Sequence, residues 1–95
     1  MKVTLVVHGI VQGVGYRNFV RGVANRHGIL GFVRNVSDGS VEIVAVGDAG
    51  PIAEFENEIK VNDRYGAQVM HVEREKQSSD ASEYTDFLIG RDRKL

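Results

Sequence analysis

The order of the hydrophobic repeats along the chain constrains its fold more than any other feature of the sequence. Val3, Leu5 and Val7 alternate with residues of the opposite face, which is the two-residue period of a strand with one buried side. From residue 18 the repeat changes to 3.6 residues, which predicts an amphipathic helix that ends at Gly28. The chain therefore begins with a strand and a helix joined by glycine-rich residues.

Two further strands and a second helix follow. Residues 29–36 and 41–46 are predicted strands, and the Ser37-Asp38-Gly39-Ser40 between them has the composition of a hairpin turn. We therefore expect these two strands to be antiparallel neighbours. Pro51 fits the first turn of a helix, where its missing N–H costs nothing. The predicted buried stripe of this helix consists of Ile52, Phe55 and Ile59.

The last third of the chain has a less regular pattern. Residues 67–75 are predicted to form a fourth strand with a bulge or a shifted register, because two valines break the alternation. Residues 77–82 indicate a polar loop, 84–89 a short final strand and 91–95 a loose tail. The order β-α-β-β-α-β, with that short further strand, predicts a ferredoxin-like α/β sandwich with an antiparallel sheet and two helices on one face.

Composition limits the class of protein. Ninety-five residues with 42% hydrophobic content suffice for one core, so we expect a single domain over residues 1–95. The absence of cysteine excludes disulfides, thiolate metal sites and a cysteine nucleophile, and it favours a reducing, cytoplasmic location. A formal charge of -1 is a poor basis for binding nucleic acid. Polar Thr4 and His8 interrupt the apolar start, so neither a signal peptide nor a membrane span is expected.

The glycine-rich stretch after the first strand is the part of the sequence that most suggests chemistry. Gly13 and Gly15 precede the first helix, where backbone N–H groups can converge on an anion at the positive end of the helix. Arg17 adds a planar guanidinium that suits phosphate. These residues alone fit either a tight strand-to-helix turn or a phosphate site. The sequence does not contain the Gly-Lys-Ser/Thr that a nucleotide P-loop requires, and a dinucleotide-binding motif would require glycine in place of Asn18.

Two longer motifs decide between these interpretations. The run Val7-His8-Gly9-Ile10-Val11-Gln12-Gly13-Val14-Gly15-Tyr16-Arg17 resembles the first signature of the acylphosphatases at every defining position. Gly31-Phe32-Val33-Arg34-Asn35, followed by Gly39-Ser40-Val41 and Gly47, resembles the second signature with the expected spacing. The resemblance covers nearly the whole chain, and the fold that it implies agrees with the one that the periodicity predicts. It is weakest at Arg64-Tyr65-Gly66-Ala67, where many family members carry a Gly-Pro pair.

The resemblance implies an activity and the residues that perform it. Arg17 matches the phosphate-binding arginine, and Asn35 the water-orienting asparagine, of a metal-free and cofactor-free enzyme that hydrolyses small acyl phosphates to a carboxylate and inorganic phosphate. The phosphate loop comprises Gln12, Gly13, Val14, Gly15, Tyr16 and Arg17. A carboxylic acid has a pKa of about 4, so the carboxylate can leave without a proton donor. We expect a phosphate oxygen of the substrate to accept the proton of the attacking water.

Other residues have simpler interpretations. Tyr16 and Phe32 are expected to pack against their neighbours. Gln12 could contact the ligand through its amide or shape the loop, and none of the three is placed in the catalytic set. The three histidines lie on different elements without metal-ligand spacing, and no metal is expected from them. They are His8, His27 and His71.

Two hypotheses from other classes remain. Domains that resemble acylphosphatase also occur in hydrogenase-maturation proteins that handle carbamoyl phosphate, so a non-catalytic module that binds acyl or carbamoyl phosphate is an alternative. The RNA-recognition fold has the same element order, but the first strand here lacks stacking aromatic residues and the net charge is slightly negative. We therefore expect acyl phosphate and inorganic phosphate as partners of a monomer, without nucleic acid or membrane.

Overall fold

The computed structural model describes residues 1–64, 66–79 and 84–95, with residues 62–64 described by their backbone alone. The elements in chain order are β1 (Lys2–Ile10), α1 (Tyr16–Arg26), β2 (Leu30–Asn35), β3 (Val41–Val46), α2 (Ala49–Glu58), β4 (Asn62–Arg64), β5 (Ala67–Ser78) and β6 (Phe87–Ile89). Within the described ranges, no helix has the length and apolar content needed to cross a membrane.

The strands form one sheet in the order β4-β5-β1-β3-β2-β6. β2 and β3 are antiparallel neighbours, from the pair Leu30–Val46 to the pair Asn35–Val41, which confirms the predicted hairpin. Every pairing between the named strands is antiparallel except that of β6, which runs parallel to β2 at the edge of the sheet. The ferredoxin-like α/β sandwich is confirmed, with a mixed sheet because of this edge strand.

The core lies between the sheet and the two helices. Val3, Leu5 and Val7 of β1 are fully buried, as their alternation predicts. The predicted stripe of α2 is also buried, and it consists of Ile52, Phe55 and Ile59. The buried side chains of α1 are Tyr16, Val20, Val23 and Ala24. Burial of one aliphatic side chain contributes about 1.5–3 kcal/mol to folding. Because β1 and α1 each bury several such side chains, the core holds both elements in place, and with them the residues that connect them.

β5 contains the predicted irregularity and is longer than predicted. Its pairing with β1 shifts register at two places, which confirms the expected bulge or change of register. The strand continues to Ser78, so the prediction of a polar loop from residue 77 was wrong for its first two residues. Residues 80–82 of that predicted loop lie outside the described residues. Backbone pairing with β1 holds this polar end of the strand, and such pairing requires no apolar side chain.

The C-terminal segment, residues 91–95, is attached to the sheet, and the prediction of a loose tail was wrong. Arg93 forms a parallel bridge with Val36 and donates its backbone N–H to the carbonyl of Asn35 at 2.8 Å. Its guanidinium lies 2.9 Å from the carboxylate of Glu42, whose side chain is only 7% exposed. A backbone bridge and a partly buried ion pair therefore hold the segment, and neither is visible in a hydrophobic pattern.

Candidate active site

The phosphate loop enters α1 with an open backbone. Gly13 has a φ of 73° and Gly15 a φ of 76°, so both lie in the left-handed region that favours glycine. A Cβ added at either glycine would meet no described atom within 4 Å, so there is free space beside the loop. α1 begins at Tyr16, earlier than the predicted residue 18. The N–H groups of its first turn come too early to bond a carbonyl within the helix, so they are available to an anion.

Arg17 lies in the first turn of α1, where its positive charge faces the positive end of the helix dipole. All residues of this turn are described, and none of them is acidic. The side chain is 36% exposed, and its Nη1 lies 3.6 Å from Oδ1 of Asp92 in the C-terminal segment. A bound anion would neutralise both the positive end of the helix dipole and the positive charge of the guanidinium.

Gln12 fixes the start of the phosphate loop against the turn between β2 and β3. Its side-chain Nε2 donates to the carbonyl of Val36 at 2.7 Å and to the carbonyl of Ser40 at 2.8 Å. Both acceptors belong to the hairpin end, which we define as residues 35–40. The two bonds use both N–H groups of the amide, so the side chain of Gln12 joins the loop to the hairpin end.

The two aromatic residues of the motifs have structural contacts. Tyr16 is 2% exposed and donates its hydroxyl to the carbonyl of Ile59 at 2.8 Å, and burial raises the pKa of its phenol. Only its backbone can therefore contribute to the phosphate loop. Phe32 contacts the ring of Tyr84, with 6.2 Å between the centroids, and the guanidinium of Arg34, 5.0 Å from the centroid. By strand alternation it points to the sheet face opposite to that of Asn35.

Asn35 is the last residue of β2 and pairs with Val41 of β3. Its carbonyl accepts the backbone N–H of Arg93, so its backbone is held from two sides. Its side-chain Oδ1 is buried and has no hydrogen-bond partner among the described residues. A buried acceptor without a partner costs about 1–3 kcal/mol, and such cost is common where a group must accept a hydrogen bond from a ligand or from water.

The sequence-predicted site residues are brought together by two connections. Gln12 joins the phosphate loop to the carbonyls of Val36 and Ser40, directly after Asn35. The C-terminal segment supplies the second connection, because Asp92 pairs with Arg17 while the next residue bonds Asn35. Asp92 is not among the predicted site residues, because it lies outside both motifs and no periodicity marks it.

A cavity beside α1 adjoins the phosphate loop. Among the described residues, that cavity has a volume of about 710 Å³ and lies against the face of α1 that carries Asn18, Gly22 and Arg26. Arg17 lies on a different face of the helix and does not line it. Val14 and Gly15 of the phosphate loop also line this cavity, whereas Arg17 and Asn35 do not, so the candidate site lies next to the cavity, between the loop and the hairpin end.

Two of the three histidines meet across the sheet. His8 of β1 and His71 of β5 are register partners, and their rings stack with 5.8 Å between the centroids. Nε2 of His8 lies 3.7 Å from the carboxylate of Glu73. The third, His27, bonds the carboxylate of Glu58 at 2.8 Å. In the described part of the chain, no group of three or more histidine, cysteine or carboxylate side chains has the arrangement of a metal site.

The chain is similar to known proteins along nearly its whole length. The chain matches the family model for acylphosphatase over residues 3–89. An acylphosphatase from Pasteurella multocida is 38% identical over 89 residues, which cover 94% of this chain and 97% of that protein. An acylphosphatase from Methanospirillum hungatei is 41% identical over 92 residues, which cover 96% of this chain and 98% of that protein.

Solved structures show the same relationship. The crystal structure of acylphosphatase from Bacillus subtilis superposes with a TM-score of 0.87 at 31% identity, covering 94% of this chain and 97% of that one. Full-length HypF in its phosphate- and nucleotide-bound form superposes with a TM-score of 0.77 at 30% identity, and the match covers 99% of this chain but 12% of HypF. The chain belongs to the acylphosphatase family of acyl phosphate hydrolases.

Proposed function

We propose that Arg17 and the phosphate loop bind the phosphate group of a small acyl phosphate, and that Asn35 orients the water that attacks it. The observation that carries this proposal is the buried Oδ1 of Asn35, which has no partner among the described residues. Gln12 connects the end of β2 with the loop, so the acceptor and the anion-binding backbone belong to one rigid unit. The products are a carboxylate and inorganic phosphate.

The binding half of the site acts through fixed donors. Free N–H groups of the first turn of α1 and the guanidinium of Arg17 would surround the equatorial oxygens of the phosphoryl group. In a loose transition state, charge spreads over these oxygens, so donors that are already oriented stabilise it without reorganisation. The left-handed conformations of Gly13 and Gly15 support this role, because they expose the loop backbone.

The other half of the site needs little acid–base chemistry. The leaving carboxylate is the base of an acid with a pKa of about 4, so it departs at neutral pH without a proton donor. The water donates one hydrogen bond to Oδ1 of Asn35, and its other proton passes to a phosphate oxygen of the substrate. Holding water and phosphate at attack distance can replace a bimolecular encounter, an effect of about 7 kcal/mol or more in well-aligned systems. This chemistry requires no metal and no cofactor.

An alternative is a module that binds acyl or carbamoyl phosphate without turning it over. The structural similarity to phosphate-bound HypF supports this alternative, because nearly the whole chain superposes on a small part of that larger protein. The buried acceptor of Asn35 favours hydrolysis, since binding phosphate through donors gives an unpaired acceptor no role. The two functions differ in turnover and not in phosphate affinity.

We also propose that residues 1–95 form one monomeric domain that acts in the cytoplasm without nucleic acid or membrane partners. The absence of cysteine fits a reducing compartment. The outer edge of β5 carries Glu73, Arg74, Glu75 and Lys76, and charged edge strands oppose pairing between sheets. The net charge of -1 opposes binding to a phosphodiester backbone.

Hydrolysis of benzoyl phosphate in the presence of a chelator tests the proposal. The wild-type protein should turn the substrate over, and Asn35→Ala should reduce kcat by about 10²-fold because the water is no longer oriented. Asn57→Ala, on the exposed side of α2, is the matched control and should retain wild-type kcat. Full turnover by Asn35→Ala would contradict the mechanism, and an inert wild-type protein that binds phosphate would favour the binding module.

A further inference from the structure

A carboxylate that lies outside both sequence motifs contacts the proposed phosphate-binding arginine. Oδ1 of Asp92 lies 3.6 Å from Nη1 of Arg17, and the side chains are 68% and 36% exposed, respectively. At this separation two opposite charges attract each other, although solvent screens the interaction. Asp92 is therefore placed to act on the charge that the phosphate group requires.

The position of Asp92 is fixed by its neighbour in the chain. The backbone N–H of Arg93 donates to Asn35 at 2.8 Å, and the carbonyl of Arg93 accepts the N–H of Ser37 at 2.9 Å. The side chain of Arg93 pairs with Glu42 on one face of the sheet. Since adjacent residues of an extended segment point to opposite faces, the side chain of Asp92 turns towards the face that carries α1. A backbone held by hydrogen bonds thus presents an exposed carboxylate to Arg17.

We propose that Asp92 is a positioning residue whose carboxylate is the counter-ion of Arg17 in the phosphate-free protein and is displaced when a phosphate group binds. The inference rests on the proposed role of Arg17 in binding phosphate. A phosphate at the guanidinium brings additional negative charge close to Asp92, so the two anions repel each other. The exposed carboxylate can turn into water while the bonds of Arg93 hold the segment in place.

Displacement has a measurable consequence for affinity. The pair of Arg17 and Asp92 must be broken before phosphate is fully bound, so its free energy is subtracted from that of binding. Exposed ion pairs of this kind correspond to about a twofold to fivefold change in an equilibrium constant. Asp92→Asn should therefore lower the dissociation constant of inorganic phosphate, and the KM of an acyl phosphate, by about twofold to fivefold, with kcat changed less.

Calorimetric titration of the full chain with inorganic phosphate tests this inference. Asp92→Asn is compared with Asp92→Glu, which keeps a carboxylate, and with Glu75→Gln, which removes one charge from the exposed part of β5. Tighter binding by Asp92→Asn alone, with the two other variants close to wild type, is the expected result. Unchanged or weaker binding by Asp92→Asn would overturn the inference, since a purely supporting contact would not oppose phosphate.

A double-mutant cycle assigns the effect to Arg17. In an Arg17→Ala background, Asp92→Asn should leave phosphate affinity unchanged, because the partner of the carboxylate is gone. An equal gain of affinity in both backgrounds would show a general effect of charge and would overturn the inference. These titrations require no turnover, so they are separate from the test of hydrolysis. A thermal melt of each variant shows whether the fold is intact.

Discussion

The phosphate loop and the hairpin end are built in opposite ways. The loop exposes backbone through two glycines in the left-handed region, and its large side chain, Tyr16, is turned into the core. The hairpin end holds its backbone in strand pairing and presents the side chain of Asn35, whose buried Oδ1 has no partner among the described residues. Donors on one side and an acceptor on the other suit a phosphate and a water, respectively. Changes in the loop should therefore act on phosphate affinity, and changes at Asn35 on turnover.

The largest effect expected in the loop comes from Arg17→Ala. The substitution removes the charged donor that stabilises the phosphoryl group in both the bound and the transition state, so kcat/KM should fall by about 10³-fold or more. Arg21→Ala is the matched control, because it removes the same charge one turn further along α1, at an exposed position. Steady-state hydrolysis of benzoyl phosphate by both variants makes the comparison. A similar loss in both variants would show that the general charge of the helix, and not the position of Arg17, is responsible.

Gln12→Ala tests the connection between the two halves. The variant loses two hydrogen bonds to Val36 and Ser40. Both carbonyls keep a backbone N–H partner, so the free energy of unfolding should fall by about 1–3 kcal/mol at most. The kcat/KM should also fall, because the loop is no longer held in place relative to Asn35. Denaturant unfolding measures the change in stability, and the rate of hydrolysis measures the change in activity. If stability falls while kcat/KM is unchanged, the two halves do not need this connection.

Gly15→Ala measures the contribution of the left-handed backbone. Gly15 has a φ of 76°, which is unfavourable for a residue with a Cβ, so alanine at this position should destabilise the fold by about 1–2 kcal/mol and weaken phosphate binding. Gly22→Ala is the opposite case, because this glycine has a helical conformation and open surroundings, and alanine should stabilise α1 by up to about 1 kcal/mol. Thermal unfolding of the two variants should show shifts of opposite sign. Shifts of the same sign would contradict the conformational argument for Gly15.

The smallest effect is expected within the hairpin end. The hydroxyl and the backbone N–H of Ser40 bond the carboxylate of Asp38 and hold its pKa below the usual value. A lowered pKa in the folded state stabilises the fold above the usual pKa of an aspartate, and this contribution is lost as the pH falls through the lowered value. Ser40→Ala should raise the pKa of Asp38 in an NMR titration, whereas Ser37→Ala should not. An unchanged pKa in Ser40→Ala would show that the hydroxyl bond is not formed in solution.

The sequence predicts those parts of the site that are determined by residues close together in the chain. Periodicity gives the strand and the helix around the loop, and the motif resemblance gives Arg17 and Asn35 as site residues. Asp92 could not be predicted, because its contact with Arg17 depends on a bridge between Arg93 and the end of β2. The same holds for the stacked histidines, whose register is set by irregular pairing of β1 and β5. Long-range backbone pairing leaves no periodic trace in the chain.

The variant Asn35→Ala shows whether phosphate binding and water orientation belong to separate regions of the site. Its dissociation constant for inorganic phosphate is measured by calorimetry beside its kcat for benzoyl phosphate. We expect phosphate affinity within about twofold of wild type and kcat reduced by about 10²-fold, since only the water loses its acceptor. A loss of phosphate affinity as large as the loss of kcat would contradict the separation of the two regions.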